Sequence, residues 1–88
     1  MKFRLKKDLA FRRIAGQVFI VDAAASRMHE LNGTAALVWE GLASGRDEEA
    51  VAAALAAEYD IAASAASADA AAFTKELLAA GLITKAEK

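Results

Sequence analysis

The chain has no cysteine and no proline, and only one histidine, one tryptophan and one tyrosine. Without thiols there are no disulfides, no thiolate metal sites and no cysteine nucleophiles, which fits a reducing compartment and makes the cytoplasm the expected location. A lone imidazole is too little for a zinc site, so neither a metal nor a cofactor is expected. No run of about 18 apolar residues occurs, and the basic residues at the N-terminus are not followed by an uninterrupted apolar stretch, so neither a membrane span nor a signal segment is expected. Catalytic groupings are missing too. Glu48 and Glu49 are neighbours at a helix start, the five glycines lack the spacing of a phosphate cradle, and no serine has a histidine near it in sequence. The chain reads as a non-enzyme.

What is present is room for one small domain in 88 residues. Apolar residues make up 57% of it, but half of those are alanine, so the true core-formers are few and closely packed helices are favoured over a large enclosed cavity. Charge is uneven: Met1 to Arg13 carries Lys2, Arg4, Lys6, Lys7, Arg12 and Arg13 against Asp8 alone, and the rest of the chain is acidic. Such a segment steers an anionic partner, or simply protects an edge strand from aggregation.

Phe3 and Leu5 alternate with Lys2, Arg4 and Lys6, the period of a short strand with one wet face. Phe11 to Ala15 and Gln17 to Asp22 flank Gly16 as a hairpin. The second arm places Val18 and Ile20 opposite Phe19 and Val21, so it is expected to be central and covered on both faces. Arg27 to Leu31 follows as an edge strand. Asn32 is a good cap for a helix with Ala35, Val38, Trp39 and Leu42 on its inner stripe, ending at Ser44-Gly45. Gly41 inside that helix costs roughly 1 kcal/mol against alanine and permits a close backbone contact. Asp47 caps a second helix that ends near Asp60. A third runs from about Ser64 to Ala80 with Ala66, Ala70, Phe73, Leu77 and Ala80 inward, stopping at Gly81 with Leu82 closing on Leu77. Ile83 to Lys88 reads as a short polar tail. The order predicts an α+β fold: a three-stranded antiparallel sheet followed by three helices, the last two in a helix-turn-helix, hence a winged helix spanning residues 1–88.

Helix-turn-helix folds often bind DNA, but the third helix offers Asp69, Lys75 and Glu76 and no arginine, a poor match to phosphate and base edges. A better match is a free edge at Arg27 to Leu31 beside an apolar helical flank. Helical spacing puts Leu78 off the inner stripe with Ala71, Thr74 and Lys75, and an edge with such a flank accepts an extended peptide by strand addition. His29 on that edge either packs at the sheet rim or contacts the partner.

These residues carry a family resemblance. Leu31-Asn32-Gly33-Thr34-Ala35-Ala36-Leu37-Val38-Trp39-Glu40 resembles the Leu-Asn-x-Thr/Ser-Ala-x-x-Ile/Val-Trp-Glu signature of PqqD-like proteins, the coenzyme PQQ synthesis protein D family. Gly45-Arg46-Asp47 is similar to that family's turn before the second helix, Ala56 to Ile61 to its end, and Asp69, Phe73, Leu77 and Gly81-Leu82-Ile83 to its closing helix and stop. The resemblance implies a RiPP recognition element, a non-enzymatic winged-helix module that binds the leader of a ribosomally made precursor peptide and presents it to a modifying enzyme, a radical SAM protein in the coenzyme pathway or another RiPP maturase. It further implies that the leader adds as a strand along Arg27, Met28, His29 and Glu30, against the third helix; Ala71, Thr74, Lys75 and Leu78 are the expected helical contacts. Two readings stand beside it: a winged-helix DNA-binding regulator, and a structural module that oligomerises through the same free strand.

Overall fold

The computed structural model describes residues 3–85, apart from the side chain of Asn32; Lys2 of the basic segment and the last residues of the tail lie outside. The chain runs β1 (Phe3–Leu5), β2 (Leu9–Ile14), β3 (Gln17–Asp22), β4 (Arg27–Asn32), α1 (Gly33–Ala43), α2 (Glu48–Tyr59), α3 (Ala63–Ala79) and β5 (Ile83–Lys85). Strands β2, β3 and β4 form an antiparallel sheet in that order. The fold is therefore the expected three-stranded sheet followed by three helices.

The hairpin between β2 and β3 turns at Ala15 and Gly16, both at positive φ (53° and 82°), the geometry that matches the twist of paired strands and that glycine adopts without strain. The register sets Phe11 across from Ile20, and Ile20 across from His29, so Leu9, Phe11, Arg13, Val18, Ile20, Asp22, Arg27, His29 and Leu31 share one face. That face meets α1. The Phe11 and Trp39 rings lie edge to face with centroids 5.3 Å apart, and Arg13 reaches Glu40 through two nitrogens at 2.7 to 3.2 Å.

Two expectations are corrected in the sheet. Only one face of β3 is covered: Val18 and Ile20 are fully buried, whereas Val21 is 45% exposed on the other face. Alternation alone cannot say how many layers will be laid down. Ile83, in the supposed polar tail, is buried, and β5 pairs antiparallel with β1, Leu5 opposite Ile83. Ile83-Thr84-Lys85 has only one apolar residue and so no alternation to mark it, and its partner lies at the other end of the chain.

Helix boundaries follow local chemistry. Asp47 Oδ1 accepts from the Ala50 amide at 2.9 Å and caps α2, with Glu48 and Glu49 in the first turn where the helix dipole favours anions. Asp60 closes it in the left-handed region. At the end of α3, the amide of Leu82 donates to the Leu77 carbonyl and that of Gly81 to Leu78, with Gly81 at φ 78°, a complete Schellman stop. The cap expected from Asn32 depends on a side chain outside the described residues. In α1, Ala36 rather than Ala35 joins Val38, Trp39 and Leu42 in the core. Gly41 is buried against α2, where an added Cβ would stand 2.7 Å from Val51 Cγ2, so the two helices meet through the missing methyl.

Candidate functional site

Strand β4 is bonded to β3 on one side, and its other edge carries no partner among the described residues. Helix α1 packs on β3 and β4, while α3 packs on α2, α1 and β5. The main chain of β4 is thus presented along an open border of the sheet.

Because successive strand residues point to opposite faces, the four strand residues expected at this site divide into two pairs. Arg27 and His29 share the helix-side face with Leu31, His29 and Leu31 half-buried. Met28, 69% exposed, and Glu30 look out from the other side. A chain laid on this edge has Arg27, His29 and Leu31 on its helix side and Met28 and Glu30 on the other. The register with the buried Val18 and Ile20 fixes that split and adds Leu31 to the helix-side set.

At the turn end of β4 sits a polar anchor. Lys6 Nζ donates to Asp22 Oδ2 at 2.7 Å, and Asp22 Oδ1 accepts from the Ala25 amide at 3.3 Å. The Lys6 hydrogen bond holds the Asp22 carboxyl below its ordinary value of 3.8 against the opposing effect of burial; the Ala25 amide and the charges of Lys6 and His29 add to the lowering. This anchor ties the β1–β2 connection to the β3–β4 turn from which the open edge starts.

On α3 the expected contacts also separate. Ala71 and Lys75 are exposed and Leu78 is half-buried against the core, as its position off the stripe predicts. Thr74 is a correction: it is 3% exposed, and its hydroxyl has no hydrogen-bond partner in the protein. The buried arc is Ala66, Ala70, Thr74 and Leu77, with Phe73 only half-buried and Ala80 exposed. The large ring of Phe73 suggested the centre of the stripe, but the small side chains let α2 approach more closely and rotate the buried arc toward Thr74. A shallow depression walled by Ala52, Ala56, Ala63 and Ser67 marks where α2 covers α3. Ala71, Thr74 and Leu78 continue the Ser67 stripe, while Phe73 lies on the opposite flank with Asp69.

A separate half-open cleft of about 530 Å³ lies at the hairpin tip, between α1 and α2, walled in part by Arg13, Leu37, Glu40, Arg46, Glu58 and Tyr59. It shares no lining residue with β4 or α3. Among the described residues no group of three metal-ligating side chains converges, and no helix is long and apolar enough to cross a membrane.

The fold has close solved counterparts. TbiB1 in complex with the TbiA(beta) leader peptide superposes with a TM-score of 0.86 at 19% identity, all of both chains being covered. Lasso peptide synthetase B1 complexed with the leader peptide gives 0.85 at 27% identity, over 96% of this chain and 99% of that one. No curated protein matches the sequence. The family model for coenzyme PQQ synthesis protein D matches residues 17–83, from β3 through α3 to the first residue of β5, and the chain belongs to the PqqD family.

Proposed function

We propose that this protein is a RiPP recognition element: it holds the leader segment of a precursor peptide as an added antiparallel strand on β4 and presents it to a modifying enzyme, without catalysing the modification itself. The observation that carries this reading is the open β4 edge, in a fold shared with a B1 protein held in complex with a leader peptide. Strand addition supplies affinity through the main chain, and selectivity comes from the side chains lining the groove: Arg27, His29 and Leu31 from β4, with Ala71, Lys75 and Leu78 from α3. The side chains of Met28 and Glu30 face away. The whole chain acts as one domain in the cytoplasm, and the receiving enzyme is a radical SAM protein or another RiPP maturase. The DNA-binding alternative finds no support in α3, whose exposed charges include two acids and one lysine.

The test is a titration of the isotope-labelled protein with a synthetic leader peptide from a precursor encoded beside its gene, followed by amide shifts. Shifts concentrated in Arg27 to Asn32 are expected; their absence from β4 overturns the reading. Leu78→Glu is expected to weaken leader binding with the fold retained, and Lys75→Glu, at a fully surface position, provides the same readout free of any effect on packing. Unaltered affinity in both variants places the groove on the other flank of α3.

A further inference from the structure

The three-stranded sheet has a second free border. Among the described residues strand β2 is bonded to β3 alone, and its residues from Ala10 to Ile14 are all exposed, including Phe11 at 42% and Ile14 at 50%. Exposed apolar residues on an unpaired strand are a liability unless something covers them. The surroundings are basic. Lys7 and Arg12 make no ion pair among the described residues, whereas Lys6 is held by Asp22 and Arg13 by Glu40. At the hairpin end β2 borders the 530 Å³ cleft, where Arg46 makes no ion pair among the described residues and Tyr59 is 42% exposed, with Glu58 and the Arg13-bound Glu40 the opposing charges on the wall.

We propose that β2 is a second docking edge, which takes an acidic extended segment of a partner protein other than the leader. The charges choose this occupant. Lys7 and Arg12 flank the edge, and a strand laid along it toward the hairpin tip brings a carboxylate to Arg46. A second copy of the chain fits badly: antiparallel self-pairing through the whole of β2 sets Arg12 directly across from its own copy or diagonal to it, and like charges there repel. The register that would relieve this by pairing Arg12 with Asp8 runs through a residue at φ 64°, outside extended geometry. The two edges thus differ: β4 carries Arg27, His29 and Glu30, a mixed set, and β2 carries cations alone. In one respect the inference rests on the leader reading, since a module holding a leader on β4 needs another surface for the enzyme that acts on it, and β2 is that surface.

The test uses a short peptide of alternating glutamate and valine, its lysine counterpart, and the labelled full chain. The acidic peptide is expected to shift the amides of Leu9 to Ile14 and of Arg46 and to leave β4 unmoved, and the lysine peptide is expected not to bind. Arg12→Glu, at an exposed position on the uncovered face, is expected to weaken the acidic peptide about tenfold or more with unchanged melting. Shifts on β4, no shifts at millimolar peptide, or equal binding by Arg12→Glu would overturn the proposal, as would self-association in sedimentation that Arg12→Glu abolishes. Leader binding measured on β4 in the Arg12→Glu variant separates the two claims: its loss condemns the independence of the edges, and its absence in the parent chain condemns the leader reading alone.

Discussion

Thr74 shows how much one hydroxyl can matter in a thin core. It sits 3% exposed between Ala70 and Leu77 on the inner face of α3, with no hydrogen-bond partner in the protein. A buried polar group left unpaired costs on the order of 1 to 3 kcal/mol, and an apolar group of the same shape removes that cost. Thr74→Val is therefore expected to stabilise the domain by about 1 kcal/mol, read as a higher denaturation midpoint at constant slope. Asp22 behaves in the opposite sense, because its partner is present. Its carboxyl titrates below 3.8 in the folded chain, so the folded state binds fewer protons than the unfolded one as the pH falls toward that value. Its stabilisation is complete above the ordinary carboxylate value and is lost as the pH drops through the lower folded one. Asp22→Asn is expected to lower the melting temperature at neutral pH and to flatten the acid decline below about pH 4; a parallel pair of melting curves across that range would refute the assignment.

At the scale of elements, the α1–α2 crossing depends on Gly41. Alanine there gains roughly 1 kcal/mol of helix propensity but brings a methyl to 2.7 Å from Val51 Cγ2, and Val51 is fully buried with a stiff β-branched side chain. Overpacking of this kind costs about 1 to 3 kcal/mol, so Gly41→Ala is expected to destabilise on balance. Combining it with Val51→Ala should recover part of the loss, and a double-mutant cycle measures the coupling; additive effects would show that the helices do not meet there. Most elements were legible in the sequence because their signals are local: the alternation in Gln17 to Asp22, the Asp47 cap and the Gly81 stop each lie within a few residues of what they control. β5 was illegible for the complementary reason, since its only partner, β1, lies at the opposite end of the chain.

At the scale of the molecule, the three-stranded sheet has an open edge on either side of one covered face, and the binding mode each implies has its own salt dependence. Leader binding on β4, built on main-chain bonds and apolar contacts, is expected to change little between about 50 and 200 mM salt, where a phosphate-bound complex would lose affinity by orders of magnitude. A steep loss for the leader would favour the electrostatic reading over the groove. The acidic segment on β2 should weaken more with salt than the leader does, because its contacts are charged and exposed.

Sequence alone settled the order of β1 to β4 and of the three helices, the central place of β3, the edge at Arg27 to Leu31 and the family, because turn chemistry, caps and hydrophobic period act over a few residues. Only the tertiary structure decided that β3 keeps one face in solvent, that Ile83 returns to β1, that α3 is rotated to bury Thr74, and which residues of β4 look toward the helices. Those outcomes depend on how closely distant surfaces approach, and a chain half of whose apolar residues are alanine leaves the rotation of each helix to its neighbours rather than to its own pattern.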